Sequence, residues 1–368
     1  NVDKEPKVDK EPKVDKEPKV DKEQKEVKEK KVDKEPKVVK DSKGSSPNKD
    51  LIRALYVLLD EAKLGSSAND KFRVKSYRKA IEKISLLPTE IVQESDIPLT
   101  KGGNIYLKVK EFLENGNIGR TQEILSVMGN TLEVYRDLQK IAELGPVKAK
   151  ELVEKHGINS IDELKERQEL LNDKQKIGLK YYETADLRIP RTEVKKHEKI
   201  YETVIKLNTS LNELTFSING SYRREMKDSG DIDILLSHPE NNTSCFRLFV
   251  DALLDQGYLI DTLAYGNKKY MGYGKLLASD SIPRRIDIIY CPPHEYPFAQ
   301  LYFTGSGAFN VRMREYATSK GYKLNEKALI DLKTNELVKH RFENEKDIFQ
   351  YLGLSYVEPS KRIETYKF

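Results

Sequence analysis

Asn219-Gly220-Ser221-Tyr222-Arg223-Arg224, followed by Ser229-Gly230-Asp231-Ile232-Asp233-Ile234-Leu235-Leu236, is the strongest signal in this chain. A Gly-Ser turn that opens a helix presents backbone N–H groups and makes a cradle for phosphate. Beyond it, two aspartates alternate with isoleucines. A strand sends successive side chains to opposite faces, so Asp231 and Asp233 share one face while Ile232 and Ile234 share the other. Adjacent carboxylates repel, and a divalent cation relieves the repulsion. Arg284-Arg285-Ile286-Asp287-Ile288-Ile289 repeats the alternation. On a neighbouring strand, Asp287 would face the first two. Three carboxylates on two strands suit two Mg²⁺ ions ~3.5–4 Å apart, which activate an attacking hydroxyl and neutralise charge on phosphoryl oxygens and leaving pyrophosphate. Asp-x-Asp alone is commonly a solvated strand end. The turn at matched distance and the third aspartate weigh against that, because acids set between buried isoleucines are costly without a partner.

Outward from this stretch, the pattern is α+β. A helix is predicted over Thr192–Leu207, and strands over Leu214–Ile218, Ile232–Leu236, Tyr258–Ala264, Tyr270–Leu277 and Arg285–Tyr290, forming a mostly antiparallel sheet. A helix at Cys245–Gln256 sits among them, and Ala308–Lys320 and Glu345–Leu352 are helical with short strands between. Residues 51–184 carry helical periodicity throughout. Leu51, Leu55, Leu58, Leu59 and Ala62 mark the first apolar face, and Phe72, Tyr77, Ala80, Ile81 and Ile84 the second. Ile105, Val109, Phe112 and Leu113 mark a third. Further helices are predicted at Thr121–Met128, Leu132–Leu144, Val147–Lys155, Ser160–Arg167 and Asp173–Thr184.

Residues 2–37 are a tandem repeat of Val-Asp-Lys-Glu-Pro-Lys, from Val2, Val8 and Val14, degenerate at Val20 and restored at Val32. Proline in the intact units, replaced by Gln24 in the degenerate one, blocks a continuous helix, and so few valines cannot offset the ordering entropy. A disordered tail over residues 1–50 is expected, with a tether or a partner-docking arm as the sharper reading. Residues 1–50 hold 16 Lys/Arg against 14 Asp/Glu, which leaves 49 against 46 for the rest, so nucleic acid would be bound by placed patches and not by bulk charge. Two cysteines in 368 residues exclude a disulfide scaffold. No apolar run approaches a membrane span, and no signal-peptide core is present. An intracellular compartment is expected (nucleus, cytoplasm or viral factory), with no secretion and no membrane partner. The sequence starts at Asn1, so a fragment or a processed form is expected. Its five histidines lack zinc-ligand spacing.

Several further motifs join the acidic pair. Lys176-Ile177-Gly178-Leu179-Lys180-Tyr181-Tyr182 leads to Arg188-Ile189-Pro190-Arg191. Leu301-Tyr302-Phe303-Thr304-Gly305-Ser306 precedes Phe309-Asn310. Gly321-Tyr322-Lys323-Leu324-Asn325-Glu326 and Glu345-Lys346-Asp347-Ile348-Phe349 close the chain. Together these resemble the family X DNA polymerases of the nucleotidyltransferase superfamily, of the beta type. The resemblance implies a deoxyribose-phosphate lyase-like helical domain over residues 51–125 and a helix-hairpin-helix subdomain over 126–189. A catalytic palm over 190–295 and a nucleotide-selection subdomain over 296–368 would follow.

By that resemblance Asp231, Asp233 and Asp287 are the catalytic metal ligands, with Mg²⁺ as the ion and Mn²⁺ as its substitute. Arg188, Ser221, Arg224 and Gly230 would hold the triphosphate, and arginine suits this because its fork pairs phosphate oxygens bidentately. Tyr302, Phe303, Gly305 and Asn310 would contact the incoming nucleotide, Arg314 the template strand, and Arg285 would flank Asp287. Gly307 stands where beta-type enzymes carry an acid. Lys108 aligns with the lyase Schiff-base lysine, which attacks an aldehyde once its basicity is lowered. Tyr77, Arg73 and Arg120 fall in the 5′-phosphate pocket, and Asn104 replaces a lysine there. Lys101-Gly102-Gly103 and Gly145-Pro146-Val147-Lys148 match hairpin turns that grip DNA through N–H groups, with Na⁺ or K⁺ as a further ligand. Glu143 departs from the Gly-x-Gly pattern and would sit unfavourably near phosphate. The implied activity is templated filling of short DNA gaps from dNTPs by a monomer, with accessory lyase activity. A template-independent terminal transferase and a non-catalytic DNA-end binder are the rival readings.

Overall fold

The computed structural model describes residues 46–65, 67–278, 281–363 and 366. The repeat, and with it the expected tail, lies outside the described residues. Helices α1 (Lys49–Leu64) and α2 (Ala68–Ser85) bury the two apolar faces read above. A capping box starts α2, in which the Asp70 N–H donates to Ser67 Oγ and the Ser67 N–H donates to the Asp70 carboxylate. Then come α3 (Asn104–Asn115), α4 (Gly119–Leu138), α5 (Pro146–Glu154), α6 (Ile161–Glu166), α7 (Asp173–Lys180) and α8 (Tyr182–Ala185).

The break expected between Thr121–Met128 and the helix from Leu132 is present: α4 leaves helical geometry at Met128 (φ −136°, ψ 23°), beside Gly129, and is two helical segments joined at a kink. Its end at Leu138, short of the predicted Leu144, frees the residues that make the turn into α5, which starts on Pro146. The segment predicted as Asp173–Thr184 is broken at Tyr181, whose ring stacks on Tyr273 at 4.0 Å and whose hydroxyl donates to Asp261. Buried side chains from Leu51 to Leu179 form one apolar cluster that is continuous through α4.

The second half begins with β1 (Ile189–Pro190) and α9 (Arg191–Leu207). It continues with β2 (Thr215–Ile218), α10 (Gly220–Arg223), β3 (Asp228–Ser229), β4 (Ile232–Ser237), α11 (Ser244–Asp255), β5 (Leu259–Tyr265), β6 (Lys269–Gly274) and β7 (Arg284–Tyr290). Strands β1 and β3 pair with each other. The others form one mixed sheet in the order β2-β4-β7-β6-β5, in which only the β4–β7 contact is parallel. That pairing sets Asp233 opposite Asp287, Ile232 opposite Ile286 and Ile234 opposite Ile288. All four isoleucines are buried in one cluster with α9 and α11. Each contributes roughly 1.5–3 kcal/mol on burial, and a one-residue slip would exchange isoleucines for aspartates in the core, so the register is strongly fixed.

The last part carries α12 (Tyr296–Thr304), α13 (Gly307–Ser319), the hairpin β8 (Tyr322–Leu324) and β9 (Leu329–Asp331), and α14 (Glu345–Tyr351). It has its own core around Phe309, Met313, Ile348 and Phe349. No helix among the described residues is long and apolar enough to cross a membrane.

Candidate active site

The sheet delivers the three aspartates to one face. Burial, followed by the charge of Asp287, pushes the Asp231 carboxyl above the usual range. Burial and then the charges of Asp231 and Asp287 push Asp233 up to about 7. Asp287 Oδ1 accepts from Arg285 Nε at 2.9 Å. Among the described residues, no three His, Cys, Asp or Glu side chains are drawn together tightly enough to hold a metal ion as they stand. The donor set still fits a divalent cation. It is all carboxylate oxygen, it carries unrelieved repulsion, and a hard cation prefers oxygen ligands.

The Gly-Ser turn lies against these carboxylates. It opens a single helical turn, Gly220–Arg223. Gly220 has φ +57°, and a Cβ there would lie 3.0 Å from Asp233 Oδ2, so both backbone and space require glycine. At Gly230 a Cβ would lie 2.9 Å from Arg188 Nη1. Arg188 is held across this glycine by Asp228, whose Oδ1 accepts from Arg188 Nε at 2.8 Å. Arg224 Nη1 donates to the Thr304 carbonyl at 2.6 Å and Nη2 to Ser221 Oγ at 3.4 Å. Ser221, Arg224 and the Thr304–Gly305 segment are therefore neighbours. On α12 and α13, Asn310 Nδ2 donates to the Tyr302 carbonyl at 2.7 Å, the Tyr302 and Phe303 rings meet edge to face at 5.1 Å, and Arg314 lies over Tyr302 at 4.9 Å.

Beneath that segment is a junction that sequence reasoning missed. Arg362 is fully buried and donates through Nη1 and Nη2 to Glu345 at 3.0 and 2.9 Å. Arg223 Nη2 reaches the same carboxylate at 2.8 Å, and its Nη1 donates to Thr304 Oγ1 at 2.7 Å. The Ser306 N–H donates to the Arg362 carbonyl at 3.3 Å. Burial pushes the Glu345 carboxyl up, but hydrogen bonds from Arg362 and Arg223 outweigh it and bring the pKa down to about 2. In sequence, Glu345 reads as an ordinary acid in the first turn of a helix, and nothing local marks Arg362.

The remaining candidates lie on the helical half. Lys108 is half-buried on α3 and makes no ion pair among the described residues. Arg73, expected to bind phosphate, is engaged by Glu61 and by Asp70 Oδ1 at 2.9 Å. Arg120 is bound by Glu61 at 3.3 Å and Glu123 at 2.9 Å. Glu61 thus clamps both arginines, a partner the motif reading did not find because it lies a helix away. Tyr77 is buried beside Arg73. Lys101 and Gly102 are exposed and Gly103 caps α3. Gly145 caps α5, Val147 is 84% exposed, and Lys148 pairs with Glu151 at 3.2 Å.

Glu143 adopts φ +64° in the turn before α5, where its carbonyl accepts from Gln175 Nε2 at 3.2 Å. A non-glycine residue pays ~1–3 kcal/mol for that conformation. Glu143→Gly is expected to release this strain, offset in part by glycine's chain entropy, and to remove a negative charge beside the proposed DNA backbone. Fluorescence anisotropy on gapped DNA should show tighter binding with Tm within a few degrees of wild type. Weaker binding would place the turn away from DNA.

This geometry, a mixed sheet with a one-turn Gly-Ser helix, Asp233 and Asp287 on adjacent strands and Asp231 just ahead of the first, fits a polymerase-beta-like nucleotidyltransferase palm. The family model of the DNA polymerase beta palm matches residues 188–293, that of the DNA polymerase beta thumb residues 299–363, and that of the fingers domain of DNA polymerase lambda residues 136–186. DNA polymerase lambda of Rattus norvegicus is 31% identical over 337 residues, covering 87% of this chain and 57% of that protein. DNA polymerase lambda of Arabidopsis thaliana is 28% identical over 311 residues, covering 78% of this chain and 57% of that protein. The chain thus belongs to the family X DNA polymerases. It spans 57% of the length of these relatives.

Proposed function

We propose that the chain is a template-directed DNA polymerase that fills short gaps during repair, transferring dNMP to a primer 3′-hydroxyl. The observation that carries this reading is the in-register pairing of Asp233 with Asp287 on adjacent parallel strands, with Asp231 on the same face. Two divalent cations held by these carboxylates would acidify the 3′-hydroxyl and neutralise charge on the phosphoryl oxygens. Asp287, next to Arg285, orients the primer end and accepts the hydroxyl proton. Ser221, Arg224 and Arg188 bind the triphosphate, with Gly230 keeping Arg188 close to the acidic face. Tyr302, Phe303, Gly305 and Asn310 shape the nucleotide pocket. DNA lies along the hairpin turns at Lys101–Gly103 and Gly145–Lys148. The nucleus is the compartment this activity fits, and the repeat of residues 2–37 would engage repair proteins.

The test is primer extension on a one-nucleotide gap with and without a 5′-phosphate. Single-nucleotide, template-matched incorporation supports the reading. Incorporation independent of the template base would assign a terminal transferase, and DNA binding without incorporation an end-binding protein.

We further propose that Lys108 forms the Schiff base of a 5′-deoxyribose-phosphate lyase. Borohydride should trap the protein on an incised abasic site, and Lys108→Ala should cut trapping at least tenfold at unchanged DNA affinity. Undiminished trapping would reject Lys108. Because Glu61 engages Arg73 and Arg120, Glu61→Gln should increase trapping at low salt.

A further inference from the structure

Three residues assigned above to the nucleotide and the template are locked to one another. Asn310 holds the Tyr302 carbonyl, and Arg314 covers the Tyr302 ring at 4.9 Å. Arg314 also meets Glu326, with Nη2 3.6 Å from Oε2. Glu326 follows β8 in the turn toward β9, and both side chains of the pair are close to half exposed. Among the described residues Glu326 is the ion partner of Arg314. A guanidinium with a ring centroid at 4.9 Å and a carboxylate at 3.6 Å, beyond hydrogen-bond reach, is held by two weak attractions. A DNA strand competes with both for it.

We propose that Glu326 is a positioning residue for Arg314: it parks the guanidinium over Tyr302 and keeps it from DNA until the nascent pair competes for it. The proposal rests on the polymerase reading above and concerns what sets the use of Arg314, not whether the aspartates catalyse. An exposed pair of this kind is weak, so a correctly placed phosphate or base edge displaces it readily, while a poorly formed site gains less from the exchange. Glu326 thereby makes the Arg314 contact conditional, and Tyr302, freed at the same moment, is released to the sugar.

The experiment is a double-mutant cycle on gapped DNA, using the full chain and measuring affinity over a salt series. Glu326→Gln should tighten binding about two- to fivefold, the span of an exposed pair, and steepen the salt dependence by about one counterion. Arg314→Gln and Glu326→Gln/Arg314→Gln should bind alike, and Glu326→Asp should restore wild-type behaviour. In extension assays Glu326→Gln should lower KM for mismatched dNTP more than for matched dNTP, eroding discrimination with kcat little changed. Wild-type affinity in Glu326→Gln, or the same gain in the double variant as in Glu326→Gln alone, overturns the proposal. The affinity cycle judges Glu326 even if the wild-type chain fails to extend a primer, which would overturn the polymerase reading instead.

Discussion

Asp287→Ala should abolish primer extension, by about 10³-fold or more, while affinity for gapped DNA stays within about threefold of wild type. The size follows from the several kcal/mol that a cation-held transition state gains over an uncatalysed one, at tenfold in rate per ~1.4 kcal/mol. Asp287 is not needed to hold the strand. Ile286 and Ile288 on either side are fully buried, and the parallel pairing with β4 runs through the backbone. Removing its charge also lessens the repulsion that raises Asp231 and Asp233, so the variant should be folded and no less stable. Single-turnover extension with thermal melting as control checks both parts. Substantial extension by a folded Asp287→Ala protein would remove the two-strand carboxylate centre from the mechanism.

The largest effect on stability is expected at Glu345. Glu345→Gln leaves Arg362, with no exposed surface, and the largely buried Arg223 without their counter-charge. Breaking a buried pair on one side costs about 3–5 kcal/mol. Denaturant unfolding should show that loss, and a change under about 1 kcal/mol would mean that the junction relaxes without strain. The same group sets a pH dependence. The folded-state pKa, near 2, lies below the unfolded value, so the unfolded chain binds the proton more readily as pH falls. The contribution, about 3 kcal/mol from the shift, is complete above the ordinary glutamate range near ~4.3 and is lost as pH drops toward 2. Glu345→Gln should flatten this limb of the stability curve. Because Arg223 also holds Thr304, the variant should lose nucleotide affinity as well.

What could be read from the sequence was what repeats locally. Alternating Asp and Ile at 231–234 and 286–288 showed both strands and their inward faces, since one side had to be apolar. The helical half showed its apolar stripes. Helix ends were harder. Residues 139–145 carry the apolar spacing of α4 onward, yet the chain turns there, and Tyr181 leaves helix geometry to stack on a strand far along the sequence. The parallel β4–β7 contact is likewise set by tertiary packing. Glu61, Glu345 and Arg362 carried no local signal, because a buried charge is recognisable only beside its partner. Motif resemblance placed Ser221, Arg224 and Tyr302 in one region, and the structure brings them to the Thr304–Gly305 segment.

The parallel strand contact also bears on how the protein comes into being. Asp233 and Asp287 meet only after α11, β5 and β6 have been laid down between them, since β7 is inserted between β4 and β6. Such a sequence-distant closure is slow compared with forming the helices of the first half. A nascent chain that has emerged only as far as Asp233 therefore carries two acids but no completed centre. On the polymerase reading proposed above, turnover has to wait for β7 to be inserted and for the helices after it that would contact the nucleotide, so its onset would report a late folding event.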